Sequence, residues 1–254
     1  MQKRRHQAAH TQMNTKLFSA AAVAAALTLL PLQGRAQTTF TDDAAKPAYA
    51  NGYVTGSGAA TPGFGAFKIV ASGAAGTFVF TAKESEGNGG TPAPNTIDTS
   101  GKSFGLYAQG KGDSTTITRG FNAPPEASGL ATAGDTFALD FVTGYNDGGT
   151  SGVALTNAGG AVGTFSYAAG GTYFFNGTPA VKGYKSGALH LVYTLTSSTA
   201  YSLTVTGAFS FIGSGTFTSP ITGFQVQQTD SGAIAPDHNA YFNNLALKCL
   251  SKTP

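Results

Sequence analysis

Asp140, in the apolar run Thr136–Val142 (TFALDFV), and the pair Glu84 and Glu86 are the residues of this chain whose types and spacing could do chemistry. Two carboxylates about 5 to 9 Å apart can flank a glycosidic bond and cleave it. Glu84 and Glu86 would share a face at about 7 Å if the strand before them ran on. They border Gly87-Asn88-Gly89-Gly90, which reads instead as a solvated strand end. Asp140 lies between Leu139 and Phe141 and could accept a hydrogen bond from a sugar hydroxyl. It could equally be satisfied by a neighbouring Thr or Tyr hydroxyl, as buried polar groups usually are.

Oxygen-rich clusters suit Ca²⁺. Asp42, Asp43, Asp237 and Asn243 could meet where the chain ends pair, and Asp140, Asn146 and Asp147 form a second candidate set. Surface turn acids are the competing reading, and no other cofactor is implied. Past residue 36 the only histidines are His190 and His238, and His190 sits in the apolar run Leu189–Leu195, where a lone strand histidine reads as structural. No His-Glu-x-x-His occurs. With no catalytic set assembled, binding remains. An outward sheet face could carry Tyr107, Gln109, Asp140, Gln225 and Gln227, with Asn146 and Asp147 in the adjoining turn. Those residues could hold a polysaccharide or cell-surface glycan, or merely keep the face wet. The chain has no Trp, so Tyr would have to supply any stacking surface.

These side chains need strands to position them. Phe137, Leu139 and Phe141 fall on one face of an extended chain, and Ala138, Asp140 and Val142 on the other. The turn Gly144–Gly149 (GYNDGG) suits a reversal into a next strand at Gly152–Asn157. Short β-branched or aromatic runs recur about every 12 residues between Gly, Asn, Asp and Pro, the signature of an all-β sandwich or barrel. The clean alternation of Tyr201, Leu203 and Val205 with Ser202, Thr204 and Thr206 favours an antiparallel two-sheet sandwich. Further strands are expected at Phe64–Val70, Thr77–Ala82, Ser103–Gln109, Thr115–Asn122, Gly163–Tyr167, Thr172–Asn176, Leu189–Thr196, Tyr201–Thr206, Ala208–Ile212, Ile221–Gln228 and Ala240–Leu247. Residues 51–62, 84–102 and 229–239 read as long loops. No fixed internal period supports a β-solenoid.

The N-terminus reads differently. Lys3, Arg4, Arg5 and Lys16 precede an apolar run of 16 residues, Leu17–Leu32, and Gly34-Arg35-Ala36 offers small residues for cleavage before Gln37. This is the pattern of a secretory signal, residues 1–36, on an exported domain, residues 37–254. The run is shorter than the roughly 20 residues that span a bilayer, so no membrane span is expected once it is removed. Lys3, Arg4, Arg5, Lys16 and Arg35 account for five of the 15 basic residues, while all 12 acidic ones follow residue 36. The remaining 10 basic and 12 acidic groups leave no basic surplus for nucleic acid. Cys249 is the only cysteine, so an intrachain disulfide is impossible.

The opening Phe40-Thr41-Asp42-Asp43, the segment Gly63-Phe64-Gly65-Ala66-Phe67 and the ending Ala240–Leu247 (AYFNNLAL) resemble secreted bacterial domains of the concanavalin A-like lectin/glucanase superfamily. The resemblance implies a two-sheet jelly roll whose first and last strands pair. Asn243 stands where the last strand of such domains often has Asp, and the Glu-x-Asp-x-x-Glu motif of the laminarinase-type glucanases is absent. The architecture hosts lectins, glycosidases and inert modules alike, so it implies no ligand. Non-catalytic glycan binding is the leading expectation. A structural or adhesive matrix role, with edge strands pairing between copies, is the second. Glycoside hydrolysis is the third.

Overall fold

The computed structural model describes residues 37–81, 97–122, 129–185, 187–232 and 238–250. Glu84, Glu86, Glu126, Asp237 and the expected signal segment lie outside these residues. Every regular element described is a strand, apart from one 3-10 turn at Pro47–Tyr49.

The strands form two sheets. In chain order they are β1 (Gln37–Asp42), β2 (Gly63–Ser72), β3 (Ala75–Thr81), β4 (Lys102–Ala108), β5 (Ser114–Asn122), β6 (Thr136–Val142), β7 (Thr150–Asn157) and β8 (Gly160–Ala168). There follow β9 (Thr172–Phe175), β10 (Thr178–Lys182), β11 (Leu189–Ser197), β12 (Ala200–Gly207), β13 (Phe211–Thr216), β14 (Ile221–Thr229) and β15 (Ala240–Leu250). The eight-stranded sheet runs β13-β12-β11-β6-β15-β4-β3, with β1 also on β15. The seven-stranded sheet runs β10-β9-β8-β7-β14-β5-β2. Every pairing is antiparallel. The chain crosses repeatedly between the layers, so the fold is a jelly-roll sandwich, and β1 pairs with β15 over six residues.

Alternation builds the core. Phe137, Leu139 and Phe141 point inward from β6, and Phe137 stacks on Phe224 of β14 with ring centroids 4.6 Å apart. Tyr201, Leu203 and Val205 do the same from β12. A second apolar cluster lies on the outer side of the eight-stranded sheet, where Phe80, Ile97, Val142 and Tyr241 are buried together under Phe78 and Ala188. Part of that outer face is therefore covered rather than wet.

Three strands depart from expectation. β1 is marked only by the resemblance, because QTTFTD has one large apolar residue. β10 escapes the strand pattern because Pro179 and Lys182 weaken it. The strand expected at Ala208–Ile212 is displaced to Phe211–Thr216. Gly213 and Gly215 read as strand breakers, yet they keep the chain close to the rings of Phe175 and Tyr201. A Cβ on either glycine would approach those side chains within 2.6 Å.

Candidate functional site

The outer face of the eight-stranded sheet gathers one polar row. Inward-facing Leu189 and Leu191 on β11, and Leu139 and Phe141 on β6, leave His190 and Asp140 pointing out. The pairing register sets His190 directly opposite Asp140, and Asp140 opposite Asn243 of β15. A bulge between Asn243 and Ala246 then re-aims the chain, with Asn244 at φ +53°. Asn is among the few residues that tolerate that left-handed conformation, and bulges serve to redirect a side chain. As a result Asn244 Nδ2 donates to Asp140 Oδ2 at 2.7 Å, while His190 Nδ1 lies 2.7 Å from Asp140 Oδ1. The Thr99 hydroxyl donates to Asn244 Oδ1 at 2.7 Å and extends the row by one more residue.

The chemistry follows from these contacts. An ionised carboxylate only accepts, so His190 Nδ1 carries the proton and Nε2 is turned away from Asp140. The His190 side chain is 51% exposed and that of Asp140 21%. One carboxylate, one imidazole and one amide thus stand side by side across three strands. In the next rank Val192, Ala138 and Ala246 are paired neighbours, and all three are partly exposed small or branched side chains that leave a shallow apolar floor. Beyond Asn244 a cavity of about 140 Å³ is lined by Thr41, Asp42, Asp43, Asn244, Leu245 and Ala246.

The other expected residues scatter. Tyr107 lies on the same outer side but beyond the apolar cluster, its ring 6.3 Å from that of Phe78. Gln109 follows the end of β4, where its N–H donates to Ala74 O at 3.0 Å. Gln225 and Gln227 bond each other at 3.2 Å on β14, outside the seven-stranded sheet and so on the opposite side from Asp140. Asn146 is buried; its Nδ2 donates to Ser151 Oγ at 3.1 Å and its Oδ1 has no protein partner. Asp147 is exposed, 3.9 Å from His238 Nδ1.

Asp237 of the first calcium set lies outside the described residues, and Asp43 Oδ1 accepts from the Ala45 N–H. Asp42 is engaged by Arg119 and Lys46, and Asn243 Oδ1 accepts from the Ala44 N–H. Asp140 and Asn146 turn to different partners. No group of three or more His, Cys, Asp or Glu side chains converges among the described residues.

Sequence reasoning missed His190 and Asn244 as partners of Asp140, and Thr99 as the partner of Asn244. Strand parity alone could have placed His190 outward, opposite in sense to Leu189 and Leu191. It also passed over Gly101-Lys102-Ser103-Phe104-Gly105, which spells the Gly-x-Ser-x-Gly spacing of a nucleophile elbow. Such an elbow is a strand-to-helix turn, whereas Ser103 lies within β4, fully buried and with no protein partner for its hydroxyl.

No protein-family model matches the chain, and no curated protein matches it. Solved structures do. A carbohydrate esterase from the Shiga toxin-encoding bacteriophage phi24B is 14% identical, with 72% of this chain and 90% of that one covered and a TM-score of 0.43. A protein of unknown function from Shewanella oneidensis MR-1 is 11% identical over 95% of this chain and 99% of its own, with a TM-score of 0.46. The CBM2 module of the evolved Dit of Lactobacillus casei BL23 phage J-1 is 14% identical over 85% and 100%, with a TM-score of 0.43. At these values none of them bears on what this chain binds or catalyses.

Proposed function

We propose that this chain is an exported, non-catalytic binding domain for a polysaccharide or cell-surface glycan, and that Asp140 and His190 form the centre of its site. The observation that carries the reading is the three-strand row in which Asp140 is held by His190 and Asn244 at 2.7 Å each. Fixing these groups before a ligand arrives lowers the ordering cost of binding. A pyranose offers hydroxyls to a carboxylate and an imidazole, and its C–H face suits the floor of Ala138, Val192 and Ala246. His190 bonds Asp140 and no hydroxyl among the described residues, which favours binding over nucleophilic catalysis.

Polysaccharide pull-down and a glycan array test the reading, with reducing-sugar release measured in parallel. The expected result is retention on at least one glycan, lost in Asp140→Ala and His190→Ala, without sugar release. Retention that survives both substitutions, or no retention on any glycan, overturns it.

A further inference from the structure

The free edges of the two sheets are not alike. Along β2, Gly56 N–H donates to Phe67 O at 2.8 Å, Phe67 N–H donates to Ser57 O at 2.9 Å, and Ile69 N–H donates to Thr55 Oγ1 at 3.0 Å. Residues 55–57 thus cover that edge. Beside β3, the Thr77 hydroxyl donates to Tyr53 O at 3.1 Å. On β1, the Lys46 ammonium donates to Thr41 O. β10 carries Pro179, Lys182 and a register break between Pro179 and Val181. Proline, lysine, bulges and covering loops are the devices that stop a sheet edge from pairing with another chain.

Among the described residues β13 has none of these. It pairs with β12 over six consecutive residues with no register break, and no charged residue occurs from Gly207 to Pro220. Phe217 N–H donates to Thr199 O at 2.9 Å, which fixes the phase of the ladder. Because bonded pairs alternate along an antiparallel ladder, Phe211, Gly213 and Gly215 face β12, and the backbone groups of Ile212, Ser214 and Thr216 point away from it. Their side chains are exposed too, Ile212 at 76%.

We propose that β13 pairs antiparallel with β13 of a second copy of this chain, across a two-fold axis at Ser214, joining two eight-stranded sheets into one. The three free residues are symmetric about Ser214. Self-pairing therefore sets Ser214 against Ser214 of the partner subunit, and Ile212 against Thr216 of the partner subunit. Three bonded pairs supply about six N–H···O bonds. All the residues brought together are neutral, so two copies meet without charge repulsion, and Ile212 gains cover. A six-residue seam is small beside a permanent interface, so the dimer is reversible and concentration-dependent. This inference is independent of the glycan reading.

Sedimentation velocity of the purified protein from roughly 1 to 500 μM tests it, across the range in which weak interfaces assemble. The expected result is a shift from monomer to dimer. Ser214→Pro removes an edge N–H that faces away from β12 and makes no bond among the described residues, which an edge strand tolerates. It should leave the far-UV spectrum and Tm nearly unchanged while holding the protein monomeric. Ser214→Cys should form an intermolecular disulfide under mild oxidation, and Ser202→Cys, one strand further in, should not. If Ser214→Pro fails to fold, Ile212→Lys with the two cysteine substitutions decides. A monomer at every concentration, as when another segment of this chain lies on β13, overturns the proposal. So does a dimer that persists in the blocking variants while Ser214→Cys forms no crosslink.

Discussion

Arg119 Nη1 and Asp42 Oδ2 meet at 2.5 Å in the interior, both side chains fully buried, and this contact ties β1 of one sheet to β5 of the other. The guanidinium is satisfied elsewhere as well: Nε donates to Gly65 O at 2.7 Å and Nη2 to Gly58 O at 3.2 Å. It lies over the rings of Phe67 and Phe64 at 4.3 and 4.9 Å. The Tyr49 hydroxyl donates to the same carboxylate oxygen. Removing one partner strands a buried charge, so Asp42→Ala should cost about 3–5 kcal/mol in urea unfolding. The combined replacement Asp42→Leu with Arg119→Met should recover much of that loss, because it removes both charges together.

Arg119 also shows how far the sequence could be read. Its inward position is legible from the alternation of Thr115, Ile117, Arg119 and Phe121, all buried. Its partner is not, since Asp42 lies 77 residues away and no local pattern carries that pairing. The bounds of β6 and the outward sense of Asp140 are likewise legible from period-two alternation. That His190, 50 residues on, stands opposite depends on which strands become neighbours. Gln225 and Gln227 group with Asp140 in sequence because parity says that a side chain points outward without saying from which sheet.

Asp140 separates stability from recognition. It accepts two 2.7 Å bonds at a partly exposed position, so Asp140→Ala should lower stability by only about 1–2 kcal/mol. Glycan retention should fall far more than that loss of folded protein explains. Asn244→Ala should weaken retention less than Asp140→Ala, because it loosens the carboxylate without removing it. Chemical denaturation and glycan retention measured on the same samples check both statements.

The β13 seam and the Asp140 row together give a distance. Seven strand spacings, about 34 Å, separate Asp140 from its copy across the joined sheet. Asp140 lies four residues from the level of Ser214, so the two-fold axis adds about 27 Å along the strands and the sites lie about 43 Å apart. Two such sites on one face act together on a long polymer and separately on a short oligosaccharide. Ser214→Pro should therefore weaken retention on the polymer at least tenfold, while affinity for the oligosaccharide, measured by calorimetry, stays the same.

Gly144 and Gly170 both have positive φ, at +61° and +85°, but differ in surroundings. A Cβ on Gly144 would fall 2.4 Å from Asn239 O and 2.8 Å from His238 O, both backbone atoms. A Cβ on Gly170 would meet nothing within 4 Å. Gly170→Ala should thus cost only the conformational penalty, about 1–2 kcal/mol. Gly144→Ala adds a clash that moves the turn carrying Asn146 and Asp147, and should cost about 2–5 kcal/mol in all. Thermal unfolding of the two variants side by side reads the difference.

Buried tyrosines set the alkaline limit. Burial raises the Tyr53 and Tyr193 hydroxyls well above the ordinary value, and burial also raises Tyr173 and Tyr201. Tyr49 is raised by burial despite the nearby Arg119 charge, with Asp42 adding to the rise. Tyr167 is pushed up to about 12 by burial, with Tyr173, Tyr145 and Tyr184 adding to it. The unfolded chain ionises near 10. Above that pH it binds fewer protons than the native protein, so stability falls as pH rises. The contribution of these phenols is complete below pH 10 and is lost progressively toward 12 and beyond. Tyrosinate absorbance during a rise in pH should therefore show these six groups ionising late and together with the loss of the far-UV β signal. Tyr167→Phe should move that transition upward in pH, because it deletes one phenol that only the unfolded chain ionises early. Independent ionisation of these six tyrosines near pH 10 with the sheets intact would contradict their burial.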